Sequence, residues 1–293
     1  MVITIASGKG GTGKTTIATN LAVSLMRAGS RRSIQLVDCD VEEPNAGLFL
    51  NPVWENSKNV ERLLPVFDQE KCSACEQCAD ICEYNAIAVV NGKVLFFKEL
   101  CHACGSCVLN CPQGAIAETP EIVGKLEHGH HEKLLFSQGT LEIGFSSPVP
   151  VIRDLKKWAL LPNEKETVSI IDASPGTTCP VVESLRGADA ALLVTEPTPF
   201  GLHDLTLVAE LVTKMDQKPI AVVINKSNDN DPIIEEFCLQ KNIPILMRLP
   251  LSREIAHTYS KGQLVVDAFP QYQQQFIALF ENIEKLISGR TIT

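Results

Sequence analysis

Eight of the eleven cysteines in this chain fall into two copies of one spacing. Cys72, Cys75, Cys78 and Cys82 recur, each 29 residues later, as Cys101, Cys104, Cys107 and Cys111. The repeat runs past the thiols, since Ala86-Ile87-Ala88 recurs as Ala115-Ile116-Ala117. A segment this short and cysteine-rich cannot build an ordinary apolar core, so metal ligation has to supply much of its folding free energy. Between residues 66 and 119, seven acidic side chains face three lysines, which leaves the segment negative before any metal is counted. Disulfides are the other use of dense cysteines. However, the chain is 293 residues long and opens Met1-Val2-Ile3-Thr4-Ile5 into a glycine loop without an export signal. Metal ligation in a reducing cytoplasm is the expectation. Cys39, Cys179 and Cys238 lie outside the repeat and read as small buried or half-buried thiols.

The cysteine segment interrupts a different pattern. Val2–Ala6, Ile34–Val37, Val168–Ile171, Ala190–Val194, Ile220–Ile224 and Ile243–Leu246 are continuously apolar rather than alternating, as buried parallel strands are. Helical stretches fall between them at Lys14–Arg27, Pro180–Arg186, Leu202–Lys214 and Asp231–Gln240. A last helix over Gln271–Leu286 gathers Phe276, Leu279, Phe280, Ile283, Leu286 and Ile287 on one face. The alternation predicts an α/β fold, a doubly wound and mostly parallel sheet, with a small α+β domain inserted. The expected division is 1–65 and 120–293 for the two parts of the α/β domain and 66–119 for the insert. Residues 120–140 read as a connector carrying one strand, with His128, His130 and His131 in a solvated loop. No apolar run reaches about 18 residues, so no membrane span is expected. A net charge of -9 without a long basic run excludes sequence-independent nucleic-acid binding.

Gly8-Lys9-Gly10-Gly11-Thr12-Gly13-Lys14-Thr15 matches G-x-x-x-x-G-K-S/T between a strand and a helix, the context that a phosphate-binding loop needs. Glycines let backbone N–H groups close around phosphate oxygens, and the helix amino terminus adds a favourable dipole. Lys14 is expected at the β- and γ-phosphates, the Thr15 hydroxyl at Mg²⁺, and Thr16 beside them. Ile224-Asn225-Lys226-Ser227-Asn228 has the outline of a guanine-reading N-K-x-D segment. Its last position is Asn rather than a carboxylate that could accept from the guanine donors, which favours ATP.

The cysteine run resembles that of bacterial two-cluster ferredoxins, in which the fourth cysteine of each run serves the other cluster. That resemblance implies one 4Fe–4S cluster on Cys72, Cys75, Cys78 and Cys111 and a second on Cys101, Cys104, Cys107 and Cys82. Zinc, the alternative, is usually held by paired C-x2-C knuckles. Pro112 follows Cys111 as in the ferredoxin pattern, but Glu83 stands after Cys82.

The additional Lys9 makes the loop similar to the deviant Walker A motif of the MinD/ParA family, which includes the nitrogenase iron protein. The resemblance implies that Lys9 reaches nucleotide across a dimer. It also places Asp40, in Leu36-Val37-Asp38-Cys39-Asp40, at the attacking water and Asp38 near Mg²⁺. Ile170-Ile171-Asp172-Ala173-Ser174-Pro175-Gly176-Thr177 is similar to the Walker B and switch II segment. Asp172 would hold the Mg²⁺ shell, Gly176 would sense the γ-phosphate, and Asn225 would contact adenine. Taken whole, the chain resembles MinD-superfamily ATPases with an inserted ferredoxin domain. That implies a cytoplasmic ATPase using ATP, Mg²⁺ and two 4Fe–4S clusters. It would form a nucleotide-dependent homodimer, or a heterodimer with a paralogue, and gate electron transfer to a redox or metallocluster protein. A cluster-assembly or carrier factor is the alternative. The subunit-bridging C-x2-C of that family's cluster carriers is absent near the chain end. A spatial-positioning ATPase would need a basic amphipathic tail, and residues 271–293 hold only Lys285 and Arg290 as bases.

Overall fold

The computed structural model describes residues 1–29, 32–160, 167–216, 218–228 and 230–291. The chain begins with β1 (Val2–Ala6), α1 (Lys14–Arg27), β2 (Ser33–Cys39), α2 (Ala46–Leu50) and β3 (Val53–Phe67). The cysteine segment follows, with α3 (Gln77–Asp80), β4 (Ile87–Val90), β5 (Lys93–Phe96) and α4 (Ser106–Leu109). Next come β6 (Ile116–His131), β7 (Leu134–Leu141), α5 (Val149–Ala159), β8 (Thr167–Ala173) and α6 (Cys179–Leu185). The last part holds β9 (Ala190–Thr195), α7 (Pro199–Asp216), β10 (Ile220–Ser227), α8 (Pro232–Lys241), β11 (Ile245–Pro250), α9 (Arg253–Ser260), α10 (Val265–Ala268) and α11 (Gln271–Ile287).

Among the described residues these strands form one nine-stranded sheet, ordered β11-β10-β9-β1-β8-β2-β7-β6-β3, and a separate β4–β5 hairpin. From β11 to β7 every neighbouring pair is parallel. β6 runs antiparallel to both β7 and β3. Alternate residues feed the two faces: Leu36, Ile170 and Leu192 join a core with Ile17 and Leu21 of α1 and Phe276 and Leu279 of α11. On the other face Val37 and Ile171 pack with Val151 and Leu155 of α5, and Leu193 and Val222 with Val181 and Val208. The expected face of the last helix therefore covers the sheet, with Phe276, Leu279 and Ile283 buried.

The region between the cysteines and β8 differs from the expectation. Residues 120–140 are not a connector with one strand: β6 and β7 both enter the main sheet, and β3 pairs with β6 from Val53↔His130 to Phe67↔Ile116. The limits at 65/66 and 119/120 fall inside these two strands, which run on as one ribbon from the sheet to the cysteine segment. β3 is an edge strand whose residues 53–59 are all exposed, so it carries no apolar period to read. His128, His130 and His131 lie on β6 rather than in a solvated loop. His128 Nδ1 is 2.8 Å from Ser137 Oγ, and His130 lies 3.1 Å from Glu55. β11 starts two residues later than expected, because the Ile243 N–H closes onto the Cys238 carbonyl (2.9 Å) at the end of α8.

Candidate nucleotide site and cysteine cavities

The glycine loop joins β1 to α1 at the carboxyl edge of the parallel strands. Gly13 caps α1 with φ 96° and no side-chain acceptor, so the first N–H groups of the helix are open to an anion. A Cβ on Gly13 would lie 2.2 Å from Asn225 Nδ2, and one on Gly8 would lie 2.3 Å from the Asp204 carbonyl. Only glycine lets the loop pass between β10 and α7. Lys14 is buried, and Lys9 is half-exposed with its ammonium 3.7 Å from Glu196, which also pairs with Lys226.

Asp38 and Asp172 are directly opposite each other on β2 and β8, and both are fully buried. The Asp38 oxygens accept the N–H groups of Asp40 and Ala46, each at 3.0 Å, so this carboxylate shapes the turn that presents Asp40. Burial first, and then the neighbouring Asp172, push Asp38 well above the usual carboxylate range. Asp172 is pushed up to about 7 by burial, against the pull of the Lys14 ammonium and of the Thr15 hydroxyl, which stands near it without hydrogen-bond geometry. Among the described residues neither Asp172 oxygen has a hydrogen-bond partner, and neither does Thr12 Oγ1. Buried oxygens of this kind are costly unless a ligand completes them. Asp40 is raised to about 6 by burial, with Lys14 opposing and Glu42 and Glu43 reinforcing. Gly176, at φ 99°, donates its N–H to the Ser7 carbonyl at 2.9 Å and so ties the segment after Asp172 to the phosphate loop.

Beside the loop is a cavity of about 310 Å³ bounded by Gly11, Gly13, Thr16, Asn225, Lys226, Leu249, Leu251, Ile255 and Tyr259. Its apolar wall escaped sequence reasoning. Leu251 and Tyr259 are exposed residues of the chain's last third, and no motif marks them. Asn225 faces inward to the protein: its Nδ2 donates to Thr12 O at 2.7 Å, and its Oδ1 accepts the Lys226 N–H at 2.9 Å. In this geometry it fastens β10 to the phosphate loop.

The cysteines surround two further cavities. Cys72, Cys75, Cys78 and Cys111 line one, walled by Phe67, Val89, Val94 and Ile116. Cys82 joins Cys101, Cys104 and Cys107 around the other, walled by Tyr84, Ile87, Phe96 and Val108. The backbone repeats with the sequence. Ala74 and Ala103 take φ 52° and 51°, and their N–H groups lie 3.4 Å from the sulfurs of Cys72 and Cys101. Ala86 and Ala115 point theirs at Cys82 and Cys111, each at 3.3 Å. Left-handed alanines cost about 1–2 kcal/mol each, and here that strain aims donors at thiol sulfurs. Burial pushes the Cys107 thiol up to about 11 and raises Cys78 and Cys101, whereas Ser106 lowers Cys104. The symmetry breaks at the second cavity, where Tyr84 and His102 stack with ring centroids 3.7 Å apart. Among the described residues no three His, Cys, Asp or Glu side chains converge as they would on a single metal ion. Of the remaining cysteines, Cys39 and Cys238 are buried as expected; Cys179 is instead exposed, because it opens α6 at the surface.

Residues 3–265 match the CobQ/CobB/MinD/ParA nucleotide binding domain. The chain belongs to that family. As a MinD/ParA-type ATPase-family member, it is also similar to a solved MinD, the septum site-determining protein of Pyrococcus horikoshii in complex with Mg-ADP. The TM-score is 0.59 at 20% identity, over 100% of this chain and 99% of that one. An uncharacterized protein of Methanocaldococcus jannaschii is 28% identical over 270 residues, 90% of each chain. An iron-sulfur cluster carrier protein of Synechocystis is 42% identical over 72 residues, 23% of this chain and 20% of that protein. The MinD/ParA-type fold places the phosphate loop, Asp38, Asp40 and Asp172 at one edge of the sheet. Among the described residues no helix is long and apolar enough to cross a membrane.

Proposed function

We propose that the chain is an ATP-hydrolysing iron–sulfur protein in which nucleotide-dependent dimer switching gates electron transfer to a protein partner. One observation carries this reading. Two rings of four thiols, each around its own cavity, stand on a ribbon that grows out of the sheet bearing the phosphate loop. Thiols spread around a cavity, with backbone N–H groups turned toward the sulfurs, suit a polynuclear cluster better than a single ion. When bound, 4Fe–4S clusters would supply one-electron chemistry. Cys72, Cys75, Cys78 and Cys111 would hold one, and Cys82, Cys101, Cys104 and Cys107 the other.

At the nucleotide site, the unpartnered oxygens of Asp172 and Thr12 and the open amino terminus of α1 suit a Mg²⁺-bound triphosphate. Lys14 and the loop N–H groups would neutralise phosphate charge, Thr15 and Asp172 would hold the Mg²⁺ shell, and Asp40 would orient water toward the γ-phosphorus. Phosphoryl transfer needs mainly such positioning and charge neutralisation. Lys9 is held by Glu196 of its own chain, so reaching a partner's nucleotide would require it to leave that ion pair.

The partial likeness to a cluster carrier protein supports a second reading, ATP-dependent cluster assembly or delivery. Anaerobic protein tests both. We expect four iron atoms for each of two clusters, ATP hydrolysis, and Lys14→Ala protein that keeps its iron while losing hydrolysis. Iron that passes to an apo-acceptor with ATP would favour delivery. Protein that binds no iron under reconstitution would refute both readings.

A further inference from the structure

The nucleotide loop and the cysteine cavities occupy different parts of the fold, and α5 is linked to both, bordering Cys101 directly and reaching the nucleotide loop through α6 and the segment before it. Its amino-terminal approach is built against the second cysteine loop. Ser146 Oγ donates to the Glu99 carbonyl at 2.7 Å, and Lys98, paired with Glu121, lies 4.9 Å over the Phe145 ring. Phe145, Ser147 and Pro150 share a cavity wall with Cys101 and His102. Along its length α5 is seated on the ribbon. Arg62 of β3, just past a bulge at Val60/Glu61, donates to the Pro150 carbonyl at 2.9 Å and to Asp154 at 3.0 Å. Val151 lies over Gly124 and Gly139, where a Cβ would come within 2.7 and 3.1 Å of its methyl groups.

The far half of α5 grips α6. The Lys156 ammonium, partly buried, donates to the carbonyls of Glu183 (2.6 Å), Ser184 (2.9 Å) and Arg186 (2.6 Å), and Arg153 pairs with Glu183 at 3.3 Å. α6 follows the segment of Asp172 and Gly176, and Gly176 is bonded to Ser7 of the phosphate loop. The 11-residue α5 spans about 16 Å, and a helix seated on glycines at van der Waals distance has little room to absorb a shift.

We infer that α5 is the strut through which occupancy of the nucleotide site alters the second cysteine cavity, with Arg62 and Lys156 as its positioning residues. This rests on the reading under Proposed function and adds a direction to it. Among the described residues, the cysteine that shares a wall with α5 and the loop before it is Cys101, so the effect falls on the ring of Cys82, Cys101, Cys104 and Cys107.

Thermodynamic reciprocity gives the test, because a ligand that alters the second site is itself held differently when that site changes. The full chain, reconstituted anaerobically, is titrated with Mg-ATP in the oxidised state and after reduction with titanium(III) citrate, with reduction followed by EPR. The wild-type dissociation constants should differ by about fivefold or more, and Arg62→Met and Lys156→Met should bring the ratio to near one with iron content unchanged. A purely structural loss would weaken both constants together and leave their ratio alone. Should Lys156→Met lose iron, Asp154→Asn, which removes only the half-exposed partner of Arg62, replaces it. A wild-type ratio above fivefold that survives in the variants overturns the strut alone. A wild-type ratio of one overturns the gating reading and the strut with it.

Discussion

Replacing Asp172 with Asn should stabilise the metal-free fold at high pH while abolishing Mg-ATP binding. The carboxylate is fully buried, faces Asp38 across the β2–β8 pair, and lacks a hydrogen-bond partner among the described residues. Its folded value of about 7 lies above the ordinary 3.8, so the folded chain binds the proton more tightly than the unfolded chain. The sign follows: the penalty is absent below the unfolded value, grows as pH rises, and is complete above the folded one. By pH 8 it is on the order of 4 kcal/mol, and at pH 5 it has fallen to roughly a third. An amide escapes the charge penalty but buries its own donors, so the net gain for Asp172→Asn at pH 8 should be about 2–3 kcal/mol. Urea unfolding in EDTA at pH 8 and pH 5, with Mg-ATP calorimetry alongside, reads both effects. A variant that is less stable than wild type at pH 8, or that binds Mg-ATP normally, would refute the argument that Asp172 is held ready for a cation.

Other outcomes follow from the same geometry. Because burial pushes Asp172 up to about 7 and Asp40 up to about 6, Mg-ATP affinity should rise with pH through that range and level off above it, by up to about tenfold per pH unit for each proton released; calorimetry from pH 5.5 to 8.5 checks this, and a flat profile contradicts it. Cys82→Ser should disturb the cluster of the second cavity and Cys111→Ser that of the first, the reverse of their positions in sequence, as EPR of each reduced variant would show. Asn225→Ala should weaken ATP and GTP alike, since its Nδ2 and Oδ1 hold the phosphate loop against β10; loss of ATP binding alone would mean that Asn225 reads the base.

Six of the seven parallel strands were legible because buried strands must be apolar without interruption, whereas β7, with Ser137, Gln138 and Gly139 inside it, was not; the phosphate loop was legible because its chemistry demands glycines before Lys14. The cysteine rings were legible as spacing. That Cys111 crosses to the first ring came from resemblance rather than from the residues themselves. β3 was not legible: an exposed edge strand reading Glu55-Asn56-Ser57-Lys58-Asn59 has no buried face to impose a period. The bond from Asn225 to Thr12 was hidden for a different reason, since the two are distant in sequence and only the closed fold brings them together. α5 was missed because its meaning lies in what it touches. Lys156 is one lysine among many until α6 presents its carbonyl ends to it.

Nucleotide occupancy should be felt at the cysteine rings. The most direct measurement is the EPR spectrum and midpoint potential of the reduced, iron-loaded chain with and without Mg-ATP, using Lys14→Ala as the nucleotide-blind control. Mg-ATP should change the signal of the cluster held by Cys82, Cys101, Cys104 and Cys107, leave the other nearly unchanged, and do nothing to Lys14→Ala. Identical spectra and potentials with and without Mg-ATP, in protein shown to bind it, would contradict the account.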